Sequence, residues 1–192
     1  MREVVLALVV GWLLSLQPPS ATPGPVDRAF PVPGPTSYAA AHHDYPATDI
    51  FAACGRRALS PVDGVVLEVG RRDRWDPATD RGGLRGGRFV SIRGDDGVRY
   101  YLSHFQAVRP GIRVGDRVGA GAPVARVGNS GNARGIACHV HFGLSPVCAG
   151  TGEWPVRRGV VAPYPFLRSW DAGGNRSPRA AVAAWKQRHG CP

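Results

Sequence analysis

The sequence predicts a mostly β protein, an antiparallel β-sheet or sandwich followed by a short C-terminal helix. Three observations carry this reading. His139-Val140-His141-Phe142-Gly143-Leu144 alternates, which puts Val140, Phe142 and Leu144 on one face of a strand and both histidines on the other. Residues 89–92 and 98–102 are strand-forming runs on either side of Asp95-Asp96-Gly97, a hairpin signal. Residues 114–118 and 124–127 bracket Gly119-Ala120-Gly121-Ala122-Pro123, a second tight reversal.

Taken in order, residues 1–21 read as an export signal. Met1-Arg2-Glu3 precedes an apolar run over residues 4–16, and small residues follow at Ser20-Ala21. That run would rise about 20 Å as a helix, short of the ~30 Å hydrocarbon layer of a bilayer. A secreted or wall-associated protein, with no membrane contact after cleavage, is the expectation; an uncleaved anchor is the alternative, because Pro18-Pro19 leaves the cleavage point ill defined. Residues 22–37 form a Pro/Gly-rich linker. The β domain spans residues 38–150, with an apolar strand around Val65, Val66, Leu67 and Val69. Residues 71–87, rich in Gly and Pro, interrupt it as an exposed loop. Residues 151–192 are a C-terminal extension whose helix covers residues 178–188, with Ser177 as N-cap, Pro178 at the first position, and Val182 and Trp185 on one stripe.

A chain of 192 residues with 43% hydrophobic composition supports one domain with its own core. Its net charge of +10 outlasts removal of the signal, since Arg2 and Glu3 cancel. Such a surface concentrates anionic polymers. The arginines are scattered and no helix-turn-helix or aromatic single-strand platform is visible, so nucleic acid is set aside in favour of anionic wall polymers, with a merely solvated surface as the plainer reading. The even number of cysteines in an exported chain predicts disulfides, and no Cys-x-x-Cys pair suggests a structural zinc site. The expected pairs are Cys138 with Cys148, bracing the histidine strand against the segment that returns after it, and Cys54 with Cys191, pinning the C-terminal helix beside the strand that carries Asp49.

The chemistry-bearing residues fall in three motifs. Period two projects His139 and His141 from one strand face, just after the glycine-rich loop of residues 128–135. His42-His43-Asp44-Tyr45-Pro46-Ala47-Thr48-Asp49 offers imidazole and carboxylate together, a donor set that suits tetrahedral zinc with one position open. His104 ends a strand in Tyr101-Leu102-Ser103-His104. Each motif alone reads as ordinary surface or structural histidine. Together they hold five of the six histidines, and one His-Asp-His trio with two further histidines makes a hydrolytic set of three ligands and two proton-transfer groups. Beyond residue 3 the only glutamates are Glu68 and Glu153, and neither sits in His-Glu-x-x-His, which excludes a thermolysin-like mechanism. A lipoyl- or biotinyl-type carrier needs a lysine at the turn of residues 115–121, whereas the only lysine is Lys186.

Residues 43–49, Ser103-His104 and His139-Val140-His141-Phe142-Gly143 resemble the three signatures of lysostaphin-type peptidoglycan endopeptidases. Residues 115–121 and 128–135 are similar to that family's glycine-rich turns, and the likeness covers about residues 38–145. The resemblance implies a barrel-sandwich-hybrid-like sheet with Zn2+ in a groove, held by His43, Asp49 and His141. It implies that His104 and His139 act on water and oxyanion, and that a monomer cuts peptide cross-links or stem peptides of peptidoglycan. One departure is the spacing: five residues separate His43 from Asp49, where the family has three. His43 and Asp49 are six apart, so strand parity keeps them on one face, which His42 at seven could not share; His43 is therefore the expected ligand. The alternative function is a non-catalytic wall-binding or regulatory module, but such members lose zinc ligands, and all five positions are filled here.

Overall fold

The structure, a computed structural model, describes residues 27–40, 42–148 and 153–192. The signal reading of residues 1–21 and the first part of the expected linker lie outside these residues. Among the described residues no helix is long and apolar enough to cross a membrane.

Among the described residues, ten strands form two antiparallel sheets. They are β1 (Ser37–Tyr38), β2 (Thr48–Phe51), β3 (Arg57–Leu59), β4 (Gly64–Gly70), β5 (Phe89–Gly94), β6 (Val98–Ser103), β7 (Ala107–Val108), β8 (Arg117–Val118), β9 (Pro123–Arg126) and β10 (His139–Pro146). The large sheet has the order β1-β2-β10-β6-β5-β4-β8, and the small one the order β3-β9-β7. The predicted hairpin of residues 89–102 is β5–β6, and the predicted histidine strand is β10, seated between β2 and β6. Val140, Phe142 and Leu144 are fully buried and join Ile50, Leu102, Val90 and Ile92 from the neighbouring strands in the core. Val124, Ala125 and Ala58 of the small sheet close that core from the other side. Both faces of β10 are buried, so His139 and His141 are nearly as inaccessible as the apolar residues between them.

The expected linker becomes part of the fold from residue 27 on. Its backbone is bonded to the domain (Ala29 N–H to Pro61 O, 3.0 Å; Leu59 N–H to Pro31 O, 2.8 Å), and Val32 is fully buried. Proline content favoured an extended chain, but one apolar side chain and free backbone donors were enough to lay that chain on the domain. Residues 71–87 form the expected mostly exposed excursion, with one 3₁₀ turn at Gly82–Leu84.

The C-terminal extension carries α1 (Trp154–Arg157), α2 (Tyr164–Asp171) and α3 (Arg179–His189). Only α3 was expected; Ser177 Oγ accepts from Arg179 N–H at 3.3 Å, and Val182 is buried. In α2, Phe166, Leu167 and Trp170 face inward, and Trp170 packs on Tyr100 and Phe142 with ring centroids 6.3 and 6.1 Å away. Two ion pairs anchor α1: Glu153 receives both terminal nitrogens of the buried Arg99 (3.0 and 2.9 Å), and Arg157 donates to Glu68 at 2.6 Å. The extension is thus continuous with the β domain.

The disulfides join Cys54 to Cys138 and Cys148 to Cys191, which corrects both expected pairs. The eight residues of β10 run between Cys138 and Cys148. At ~3.3 Å per residue they hold these cysteines some 25 Å apart, far beyond the ~7 Å that a disulfide spans between Cα atoms. Cys138 enters β10 beside the end of β2, where His139 pairs with Phe51 and Ala52 N–H donates to Cys138 O, so Cys54 is its neighbour. Cys148 leaves the far end and takes Cys191 beyond α3.

Candidate active site

Register builds the site. His141 lies directly across from Asp49 on β2 and from Ser103 on β6, so imidazole and carboxylate point from the same face of adjacent strands. His139 is two residues earlier on that face, and His104 follows the end of β6. The rings of His104 and His139 are 4.9 Å apart, and those of His104 and His141 5.9 Å. All line one cleft with a free volume of about 190 Å³, together with His42, Tyr45, Asp49, Trp154, Arg157 and Arg158.

His42, not His43, stands with Asp49 and His141. One donor atom from each of these three lies within 4.8 Å of the others. His141 Nδ1 is 2.9 Å from Asp49 Oδ1, and His42 Nε2 is 3.6 Å from Asp49 Oδ2. His43 is 79% exposed at its side chain, 2.7 Å from Asp44 with its ring 4.1 Å from that of His42, and His42, His43 and Asp44 form a second, more exposed donor group. Strand parity does not select His43, because residues 43–46 are bends rather than strand; β2 starts at Thr48, so alternation does not extend back across Tyr45-Pro46.

The donor set fits a zinc ion. Both nitrogens of His141 face acceptors, Asp49 Oδ1 on Nδ1 and Arg158 O on Nε2, each at 2.9 Å. A neutral imidazole has a single N–H and can donate to only one of them. With Nε2–H committed to the carbonyl, the Nδ1 lone pair and the carboxylate are left facing each other, an arrangement that a cation resolves. Two imidazoles and one carboxylate are ordinary catalytic-zinc ligands, and a backbone carbonyl on the remote nitrogen is the usual device for orienting a ligating histidine. Burial raises the Asp49 carboxyl, but the adjoining His141, with His139 and His42, outweighs this and holds it at about 2. Burial, helped by His141, lowers His42 to about 4.

Gly143 explains how the Arg158 carbonyl gets so close. A Cβ at this position would meet Arg158 O at 2.1 Å and Gly159 N at 3.0 Å. Gly143→Ala should therefore push the extension off β10 and weaken zinc binding about 10–100-fold, the usual scale for losing an orienting partner. A zinc titration against a chromogenic chelator measures this; unchanged affinity would show that the carbonyl does not hold His141.

His104 and His139 are fixed through their other nitrogens. Nδ1 of His104 donates to Ser130 O at 2.7 Å and Nδ1 of His139 to Ala137 O at 2.9 Å, which leaves Nε2 as the available lone pair on each ring. His104 has φ +65°, a left-handed conformation rare for a non-glycine residue and concentrated at functional positions. It is clamped there by His104 N–H to Gly86 O and Ser130 N–H to His104 O. Gly131 permits this closeness of loops: a Cβ there would lie 2.0 Å from Arg85 O. Burial and the neighbouring His141 and His139 lower His104 to about 3, so its ring is neutral at ordinary pH.

Several lining residues were not anticipated from the sequence, Arg157 among them. Tyr45 has its hydroxyl 3.4 Å from His141 Nε2, and Trp154 and Arg158 come from an extension that carries none of the motifs. Only the aromatic and basic character of Trp154-Pro155-Val156-Arg157-Arg158 hinted at them.

Residues 43–152 match the sequence profile of Peptidase family M23. No curated protein matches the chain. Among solved structures, the catalytic domain of the antimicrobial peptidase lysostaphin from Staphylococcus simulans is similar at 22% identity and TM-score 0.52, over 70% of this chain and 93% of that domain. A lytM protein from Ruminococcus gnavus ATCC 29149 is similar at 23% identity and TM-score 0.58, over 79% of this chain and 63% of its own. Against the longer lysostaphin chain the similarity covers 74% of this protein and 54% of that one, at 22% identity and TM-score 0.53. At these identities the structural likeness is one of fold.

Proposed function

The chain belongs to peptidase family M23, and from that premise we propose that it is an exported zinc endopeptidase hydrolysing peptide cross-links or stem peptides of bacterial peptidoglycan. The observation that carries this reading is the convergence of His42, Asp49 and His141 donor atoms in the cleft that His104 and His139 also line. His42, Asp49 and His141 would hold the ion. When bound, zinc supplies Lewis acidity toward the scissile carbonyl and lowers the pKa of water. The protein's own groups do the rest. Nε2 of His104 or His139 accepts a proton from the attacking water and returns it to the departing amine. The other ring supports the oxyanion in its protonated form, whose Nε2–H donates to it while Nδ1–H stays on the backbone carbonyl.

Two disulfides suit an oxidising, extracytoplasmic setting, which supports export. The net charge of +10 suits a polyanionic wall as the surrounding partner. The test is incubation of the zinc-loaded protein with purified cell walls, with newly released amines identified by mass spectrometry. Amine release that stops with a chelator and returns with zinc is expected. Tight wall binding by the zinc-loaded protein without any release would replace the endopeptidase reading by a wall-binding one.

A further inference from the structure

Three arginines line the cleft, and two are already neutralised. Arg85 is paired with Asp80, and Arg157 donates to Glu68 and to Gly83 O. Arg158 differs. No carboxylate of the described residues lies within ion-pair distance of it, and its Nε is buried without a hydrogen-bond partner. Its guanidinium is instead held against two aromatic rings, 3.7 Å from the Tyr45 centroid and 5.0 Å from that of Trp154. Tyr45 is in turn the residue whose hydroxyl approaches His141. The position is enforced from the backbone, since Arg158 O is the acceptor for His141 Nε2 and sits against Gly143. A guanidinium stacked by its faces keeps its donor edge free, the edge that matches a carboxylate in bidentate fashion.

We propose that Arg158 is a specificity-determining residue that binds a substrate carboxylate beside the scissile bond, so that the cleft selects acidic peptides over their amidated counterparts. This rests on the endopeptidase reading for its biological substrate, but the recognition itself is testable without turnover. The residue lies outside the family-matched span of residues 43–152, so the selectivity belongs to this chain's extension.

The probes are pairs of synthetic wall-type peptides, identical except that one side-chain or terminal carboxylate is a carboxamide. Equilibrium binding to the zinc-loaded full chain is measured by calorimetry, and hydrolysis by amine release. For one carboxylate position, wild type should bind the acid about tenfold or more tighter than the amide, the scale of a charge-assisted bidentate contact. Arg158→Gln should lose that factor on the acid peptide and no longer distinguish the pair, while Arg158→Lys retains part of it. Zinc content and thermal unfolding of both variants should stay at wild-type values, because the backbone carbonyl on His141 is untouched. Wild-type indifference to every carboxylate, or an acid preference that survives in Arg158→Gln, would overturn the proposal. If wild type binds the acid peptide selectively but cleaves none, the endopeptidase reading fails and the carboxylate site stands.

Discussion

Replacing His141 with alanine should strip the protein of zinc and abolish wall hydrolysis. His141 contributes one of only three protein donors, and its Nδ1 is the atom set 2.9 Å from Asp49 Oδ1. Loss of an orienting partner alone costs roughly 10–100-fold in metal affinity, so loss of a direct donor must exceed that range. Asp49→Ala should behave alike, because it removes the only anionic member and leaves two neutral rings to hold a dication. The discriminating pair is His42 and His43. His42→Ala should empty the site, whereas His43→Ala, whose ring lies 79% exposed beside Asp44, should keep its zinc and most of its activity. Metal analysis after gel filtration decides the matter. Zinc retained in His42→Ala but lost in His43→Ala would make His43 the ligand and move the ion toward the second donor group around Asp44.

Strand periodicity is legible in a sequence and loop geometry is not, which is why His43 stood in for His42. On β10 the alternation of residues 139–144 is real strand periodicity, so the shared face of His139 and His141 follows from the sequence alone. Asp49 came from its cluster with the histidines and from the resemblance, and the structure seats it inside β2 across from His141. His42 and His43 precede the bend through Tyr45-Pro46, where no period applies, and only the folded loop decides which ring turns inward. The disulfides differ from expectation on another ground. Bracing β10 against a segment expected to return after it ignored that a strand is rigid and long; β10 itself separates Cys138 from Cys148. The contribution of the extension was beyond reach, because Arg158 acts on His141 through a carbonyl oxygen, a group that every residue has. What made that carbonyl special was written at a distance, in the missing side chain of Gly143. The burial of Val32 in the expected linker was hidden by proline content, which reports backbone stiffness and says nothing of what a stiff segment lies against.

His104→Ala and His139→Ala should each cut hydrolysis by ~10²-fold or more while leaving zinc content at wild-type level, the usual cost of losing a positioned acid–base group. The geometry separates them from the ligands. Each ring donates through Nδ1 to a backbone carbonyl, Ser130 O for His104 and Ala137 O for His139, and offers Nε2 to the cleft they line with His141. A structural role is the competing explanation, and it is sharpest for His104, which is buried and held at φ +65°. Alanine there loses the ring and its bond to Ser130 while facing the same unfavourable backbone, so some stability loss would follow from folding alone. His104→Asn keeps a side-chain donor for Ser130 O and tolerates left-handed φ better than alanine, because a short polar side chain can bond locally. It cannot take up a proton at working pH. A proton-transfer role therefore requires His104→Asn to unfold near the wild-type temperature, to bind zinc normally and still to lose the full ~10²-fold in kcat. For His139 the matching control is Gln, whose amide reaches as far as an imidazole but does not titrate. Recovery of near-normal hydrolysis in either amide variant would reduce that histidine to a scaffold for the loop it touches, and loss of zinc in either would redraw the ligand set.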